Sequence, residues 1–167
     1  MRHQDLVLRA ARLGPVLDLA CGSGRNGLYL AGKGAEVHFW DRNQEELDRI
    51  ENVSAGDGLR VEIKRVDLES ESLEPLPVEL FGAVLVFRYL HRPLIPAIKA
   101  LIRSRGLIVY ETFTREQAAL GKPENPDFLL NPGELFEWFK DWEILDHHQG
   151  LLENPERYMA GIVARKP

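Results

Sequence analysis

The sequence contains almost no cysteine and no long apolar run. Its single cysteine, Cys21, excludes an internal disulfide, and no zinc-ligand spacing surrounds it. No stretch approaches the roughly 20 apolar residues of a membrane span, and the polar residues Met1 to Asp5 do not begin a signal peptide. We therefore expect a cytoplasmic protein with no membrane partner and no metal.

The sequence also lacks an excess of positive charge, with 21 lysines and arginines against 26 aspartates and glutamates. The 167 residues carry a net charge of −5, which gives no general attraction to nucleic acid or to anionic membranes. A local basic groove is still compatible with this balance. The length suits one domain, residues 1–167, and we find no internal repeat.

What the sequence does contain is a strand, a tight turn and a helix near residue 20. Val16 to Leu19 is a short apolar run, Gly22 and Gly24 follow it, and residues from about 25 to 32 have helical spacing. Glycine permits the backbone angles of such a turn and lets a ligand lie against the main chain. The unpaired amides where the helix begins suit an anionic group. This pattern predicts a cofactor site at the turn.

Asp18 bears on which cofactor binds there. Gly22, Gly24 and Gly27 formally complete the G-x-G-x-x-G of dinucleotide sites, which is a weak match alone. An acid at the end of the strand would repel a pyrophosphate but attract an ammonium group. Because S-adenosylmethionine carries an amine and no phosphate, we favour it over NAD.

Further acids follow the next two strands. The alternating run Glu36 to Trp40 ends at Asp41, about 20 residues past the turn, where an acid suits ribose hydroxyls. The run from Val61 ends at Asp67, where an adenine amino group could be met. The alternation of strands and helices predicts an α/β fold, a Rossmann-like doubly wound sheet of about seven strands, mostly parallel with an antiparallel strand near the C-terminus and helices on both faces. Other predicted helices span about 5–13, 44–53 and 94–102 and begin near 131–134; other strands span about 81–87, 106–110, 142–145 and 158–164.

These motifs resemble the class I S-adenosylmethionine-dependent methyltransferases, and most of all the tellurite-resistance methyltransferase group. The resemblance covers about residues 16–68 well and the C-terminal third loosely, whereas residues 111–133 and the segment between His147 and Tyr158 depart from that group. The stretches that carry it are Leu17–Ala31, Trp40–Asn43, Val66–Leu68, Gly133–Leu135, Trp142-Glu143 and Val163–Lys166.

The resemblance implies S-adenosylmethionine as cofactor and S-adenosylhomocysteine as product. It places the methionine part against Asp18 and the turn from Ala20 to Gly24, and the ribose at Asp41. It places the adenine beside Arg42 with its edge at Asp67 and Leu68, and the sulfonium above Phe87 and Arg88. The cofactor-binding residues it implies are Asp18, Ala20, Cys21, Gly22, Ser23, Gly24, Arg25, Asn26, Asp41, Arg42, Asp67, Leu68 and Phe87.

We expect the acceptor pocket just past the fourth strand, with Arg88 and His91 as candidate catalytic residues. Arginine pairs with anions, and histidine titrates near neutral pH. Methyl transfer from a sulfonium can proceed by positioning alone, so a general base is optional. The loop within 114–133 has the length of lids and binding loops. His147 and His148 do not suggest a metal pair, because neighbours on a strand point to opposite faces.

Two other functions are compatible with the sequence. A non-catalytic partner protein could keep the S-adenosylmethionine pocket, and an NAD-binding oxidoreductase could use the same glycines. The absence of a sizeable insertion favours a small-molecule acceptor over nucleic acid. The sequence leaves the acceptor, the closure of residues 114–133 and the choice between monomer and homodimer open.

Overall fold

The computed structural model describes residues 3–167; Met1 and Arg2, which belong to the polar start discussed above, lie outside the described residues. Strands and helices alternate along most of the chain. The strands are β1 (Val16–Leu19), β2 (Val37–Asp41), β3 (Val61–Arg65), β4 (Phe81–Phe87), β5 (Ile102–Phe113), β6 (Glu143–Leu152) and β7 (Arg157–Arg165). The helices are α1 (Gln4–Ala10), α2 (Arg25–Ala31), α3 (Gln44–Asp57), α4 (Ile95–Leu101) and α5 (Glu134–Phe139).

The seven strands form one sheet in the order β3-β2-β1-β4-β5-β7-β6. The first five are parallel, and β7 lies antiparallel between β5 and β6. This arrangement confirms the predicted doubly wound sheet. Because parallel strands share one direction, the carboxyl ends of β1 to β5 meet at a single edge, where ligands bind in open α/β sheets.

Alternating side chains of the central strands build a core on each face. Leu17 and Val84 lie on the face covered by α4 and α5, and Val16 and Leu85 on the face covered by α1, α2 and α3. All four residues of β1 are buried, as expected for a parallel strand covered on both sides. The helices on both faces confirm the predicted layers.

Several element boundaries differ from the sequence predictions. The predicted end of α3 near residue 53 is wrong, because α3 continues to Asp57 and ends at Gly58, whose φ of +63° is typical of a helix C-cap. Strand β5 begins at Ile102 and β6 runs to Leu152, beyond the predicted ends. Residues Asp146 to Gln149 are polar, so the sequence did not indicate a strand there. They nevertheless belong to β6, which pairs with β7 at the edge of the sheet. Within residues 3–167, no helix is both long and apolar enough to cross a bilayer.

Candidate active site

A cavity of about 820 Å³ opens at the carboxyl-terminal edge of the sheet. One part follows the ends of β1, β2 and β3, and we call it the β1–β3 half; it consists of Ala20, Asp41, Arg42, Val66, Asp67, Leu68 and Glu69. The β4–β5 half consists of Arg88, Tyr89, Leu90, Phe113, Lys122, Pro123, Glu124, Asn125 and Phe128.

The turn between β1 and α2 has an unusual backbone. Ala20, Gly22 and Gly24 have φ values of +51°, +51° and +66°. Such angles cost a residue with a Cβ roughly 1–3 kcal/mol, so their presence at Ala20 points to a functional constraint. A Cβ at Gly22 would meet no atom within 4 Å, whereas one at Gly24 would lie 2.6 Å from Ile50 Cδ1. Gly22 therefore leaves open space for a ligand, and Gly24 allows close packing.

Asp41 joins this turn to the end of β2. Its Oδ2 accepts a hydrogen bond from the Gly22 N–H at 2.8 Å, and its Oδ1 accepts one from the Asn43 N–H at 2.8 Å. Asn43 in turn caps α3 by accepting from the amides of Glu45 and Glu46. The carboxylate is thus fixed in place at the cavity wall by backbone donors.

Asp18 lies behind the turn rather than in the cavity wall. Its side chain is buried, and Oδ2 accepts the Gly27 N–H at 2.9 Å. Burial raises the pKa of Asp18 from an ordinary value of 3.8 to about 7; the Gly27 bond opposes this shift, and the charge of Asp41 adds to it. A Cβ at Gly27 would lie 2.3 Å from Phe39 Cε1, so only glycine lets α2 approach β2 this closely.

The predicted cofactor residues divide into two groups. Ala20, Asp41, Arg42, Asp67 and Leu68 line the cavity. The others lie in or behind the adjoining turn, in the first turn of α2, or at the end of β4, and their contacts with a cofactor stay predictions; they are Asp18, Cys21, Gly22, Ser23, Gly24, Arg25, Asn26 and Phe87.

Cys21 is poorly suited to act as a nucleophile. Burial, together with the nearby carboxylates of Asp18 and Asp41, raises the pKa of its thiol. The thiol therefore stays protonated near neutral pH, and the protonated form reacts weakly.

The residues past β4 have separate roles. Arg88 lines the cavity with a φ of +55°, and its N–H bonds to the Glu111 carbonyl at 2.8 Å. His91 precedes a short 3₁₀ turn and is not among the lining residues. Arg92 contacts Glu134 through two hydrogen bonds of 2.6 and 2.9 Å and also donates to the carbonyls of Asp127 and Leu129. Arg92 is therefore a structural residue.

Residues 114–131, which we call the strap, close the cavity on the β5 side. Thr114 and Leu130 form a parallel bridge, so the two ends of the strap lie side by side. The Gln117 side chain donates to the Lys122 carbonyl at 3.2 Å and accepts the Tyr158 N–H at 2.9 Å. The strap is thereby attached to both β5 and β7.

Sequence reasoning did not assign several of the lining residues to the site. The loop within the strap is rich in turn-forming residues, which indicated a possible binding loop. No local pattern showed which of its side chains face the cavity. The lining residues that the sequence did not assign to the site are Val66, Glu69, Leu90, Lys122, Pro123, Glu124, Asn125 and Phe128.

Comparison with known proteins identifies the family at this point. Residues 3–156 match the family model described as tellurite resistance protein TehB. The chain belongs to the TehB family. This match confirms the resemblance to the tellurite-resistance methyltransferases. The cofactor of this family is S-adenosylmethionine, and the product is S-adenosylhomocysteine.

Several individual proteins are similar to this TehB family member. It is 28% identical over 159 residues to the probable S-adenosyl-L-methionine-dependent methyltransferase TehB of Haemophilus influenzae, covering 90% of this chain and 54% of that protein. The crystal structure of TehB from Haemophilus influenzae superposes with a TM-score of 0.76 at 25% identity, covering 99% of this chain and 62% of that one. The chain thus spans about half the length of the curated TehB relatives.

A further relative is named as a tRNA methyltransferase. The tRNA 5-carboxymethoxyuridine methyltransferase of Escherichia coli K12 is 23% identical over 172 residues, covering 85% of this chain and 66% of that protein. Membership of the TehB family therefore leaves the type of acceptor open.

The residues of this TehB family member fit S-adenosylmethionine. A side chain at Gly22 would meet no atom within 4 Å, so the turn leaves its backbone accessible, and Asp41 lines the cavity with a carboxylate that can accept hydrogen bonds from hydroxyl groups. Val66 and Leu68 offer an apolar wall for a purine. The carboxylate and the apolar wall together suit S-adenosylmethionine, which is a nucleoside with ribose hydroxyls and a positive charge.

A histidine and a glutamate meet beside the end of β5. His148 Nε2 lies 3.4 Å from Glu111 Oε2, and the imidazole crosses Gly161, where a Cβ would be 2.2 Å from His148 Cε1. His147 packs instead against Phe136, with ring centroids 5.3 Å apart. Across residues 3–167, no group of three or more histidine, cysteine or acidic side chains could hold a metal ion.

Proposed function

We propose that this chain is an S-adenosylmethionine-dependent methyltransferase that methylates a heteroatom of a small-molecule acceptor. The observation that carries the proposal is the position of Asp41, which lines the cavity while its carboxylate is bonded to the Gly22 N–H. This bond fixes the carboxylate that we propose for the ribose against the glycine turn. Such preorganisation is what an in-line displacement needs most.

In this proposal the β1–β3 half holds the cofactor. Asp41 would accept hydrogen bonds from the ribose hydroxyls, Asp67 would accept from the adenine amino group, and Arg42 would flank the purine. When bound, S-adenosylmethionine supplies a methyl group on an activated sulfonium. Asp18 supports the turn from behind through Gly27. Cytoplasm is the proposed setting, because the free thiol of Cys21 suits a reducing compartment.

A small acceptor is supported by the size and cover of the cavity. A volume of about 820 Å³ falls in the range of roughly 300–1,000 Å³ typical of small-molecule sites. Five residues of the strap line the β5 side of the cavity, as expected where a loop covers a small ligand. Arg88 is the candidate that would contact the acceptor, whereas a part for His91 stays a prediction.

Nucleic acid is the second candidate acceptor, because one relative is named a tRNA methyltransferase. A non-catalytic binding partner and an NAD-binding oxidoreductase are further alternatives. Each makes a different prediction about which ligands stabilise the folded protein.

A thermal-shift comparison with S-adenosylmethionine, S-adenosylhomocysteine and NAD tests the cofactor. A ligand that binds only the folded state at 100 times its Kd stabilises it by about 2.7 kcal/mol, which raises the melting temperature measurably. We expect shifts with the first two ligands and none with NAD. A shift with NAD alone would favour the oxidoreductase.

The acceptor is tested by transfer of a labelled methyl group from S-adenosylmethionine. One arm receives a small-metabolite extract and the other bulk tRNA, each followed by size separation. We expect label in the small-molecule fraction; label in tRNA would select the second candidate. Cofactor binding without transfer in either arm would support the non-catalytic partner.

A further inference from the structure

We infer that the β4–β5 half binds an acceptor that joins one anionic group to an apolar body, as an aromatic carboxylate does. The inference rests on the proposed function, because it assigns the substrate class of the same cavity. It is carried by a difference in charge between the two halves, by two cations without partners, and by the apolar side chains beside them.

The two halves of the cavity differ in charge. The β1–β3 half contains three carboxylates and a single guanidinium, Arg42. In the β4–β5 half the charged residues are Arg88 and Lys122 against Glu124. A cleft lined by one sign of charge attracts ligands of the opposite sign. The β1–β3 half thus suits a cationic cofactor, and the β4–β5 half suits an anion.

The two cations of the β4–β5 half have no internal partners. Throughout residues 3–167, no ion pair or side-chain hydrogen bond involves Arg88 or the Lys122 ammonium, although Arg92, four residues along, is held by Glu134. Arg88 is also held at a φ of +55° by its N–H bond to the Glu111 carbonyl. Its planar donors match the geometry of a carboxylate.

Apolar side chains line the same half of the cavity as these cations. Leu90, Phe113, Pro123 and Phe128 line the same half, and Phe128 is 48% exposed. A bare inorganic oxyanion would leave these surfaces in contact with water, whereas an aromatic or branched body would cover them. The apolar wall therefore favours an organic acid.

Glu124 limits the number of anionic groups on the acceptor. Its carboxylate lies in the same half, so a second negative charge on the ligand would be repelled. The geometry fits a mono-anion better than a dianion.

Calorimetric titration of the S-adenosylhomocysteine-saturated protein tests this inference. The probes are phenylacetate, the neutral phenylacetamide, and acetate, which has the charge without the apolar body. Loss of a charge-assisted contact predicts that phenylacetamide binds about tenfold more weakly than phenylacetate. Acetate should bind more weakly still, and phenylacetate binding should weaken as salt is raised, because both cations are exposed.

Substitutions identify the residues responsible. We expect Arg88→Gln and Lys122→Gln each to lower phenylacetate affinity by about five- to tenfold and to reduce its advantage over phenylacetamide. Arg9→Gln removes an exposed cation from α1, far from the cavity, and should change neither. Lys122 is exposed, so Lys122→Gln should fold normally. It therefore tests the inference even if Arg88→Gln folds poorly.

The same titrations separate the two proposals. Failure to bind S-adenosylhomocysteine would contradict the proposed function. Normal binding of S-adenosylhomocysteine with no phenylacetate binding, or with equal binding of acid and amide, would overturn only the inference about the acceptor.

Discussion

At the ends of β1 and β2, the cavity wall is held by backbone amides that bond to carboxylates nearby in the chain, such as Gly22 to Asp41. On the β5 side, the wall is held by side chains that reach across more than 30 residues, such as Arg92 to Glu134 and Gln117 to Tyr158. The first construction is rigid and depends on glycine. The second is a loop attached at a few points, so it can be changed without disturbing the sheet.

The largest effect is expected from Gly27→Ala. The added Cβ would overlap Phe39 Cε1 at 2.3 Å and Asp18 Oδ2 at 2.8 Å, and overpacking of this kind destabilises by about 2–3 kcal/mol. Urea denaturation measures the change. Gly56→Ala is the matched control, since a Cβ there meets nothing within 4 Å in α3; it should stabilise by about 0.5 kcal/mol. A Gly27→Ala protein as stable as the parent would show that the β1–β3 half is not rigid.

The next effect concerns the cofactor. Asp41→Ala removes a carboxylate that bonds Gly22 and faces the cavity, and loss of charged hydrogen bonds of this kind weakens binding by roughly thirtyfold. Calorimetry with S-adenosylmethionine measures it. His91→Ala, outside the cavity lining, should bind as the parent does. Equal affinities for Asp41→Ala and the parent would remove the ribose role from this acid.

Removal of the Arg92 contacts should loosen the β4–β5 half. Arg92→Gln breaks the paired hydrogen bonds to Glu134 and the contacts to two strap carbonyls, at a cost of about 1.5 kcal/mol for a partly exposed charged pair. Amide exchange should quicken at residues 127–130 while α3 is unaffected. Arg49→Gln breaks an exposed pair with Glu46 and should change stability by less than about 0.5 kcal/mol. If residues 127–130 exchange at the same rate in Arg92→Gln as in the parent protein, other contacts hold the strap.

The smallest effect, taken over one pH unit, is a pH dependence from Asp18. Its pKa is raised on folding, so the folded protein binds more protons than the unfolded chain between pH 3.8 and about 7. Stability should therefore fall as pH rises through this window, by about 1 kcal/mol between pH 6 and 7 from this group. Asp18→Asn mimics the protonated acid and should lack this part of the slope. Parallel stability curves for the two proteins would place the titration elsewhere.

Glu134 should show the opposite pH dependence. Burial alone would raise the pKa of Glu134, but hydrogen bonds from Arg92 and Asn131 outweigh it and lower the pKa. Stability from Glu134 is therefore present above its unfolded pKa and lost as pH falls through the folded one. The two carboxylates thus respond to pH in opposite directions.

The sequence predicted the β1–β3 half well because that half is local. A strand, a glycine turn and an acid at the next strand end leave a pattern within about 20 residues, and Asp41 lies where that pattern requires. The sheet followed from the same alternation. The prediction for α3 failed at its end because Gly58, and not the small residues before it, stops the helix.

The β4–β5 half could not be predicted to the same depth. Arg88 and Arg92 have the same chemistry and lie four residues apart, yet one lines the cavity and the other bonds Glu134. Only the path of the strap, set by contacts such as Gln117 with Tyr158, separates them. Local periodicity contains no information about such partners.

The bridge between Thr114 and Leu130 brings the two ends of the strap together at the sheet. A loop whose ends already meet can be lengthened, shortened or exchanged with little cost to the framework. We therefore expect residues 118–126, which lie between Gln117 and the carbonyls bonded by Arg92, to tolerate exchange without loss of the sheet. Grafting the corresponding segments of other family members onto this chain would test whether these residues set acceptor specificity.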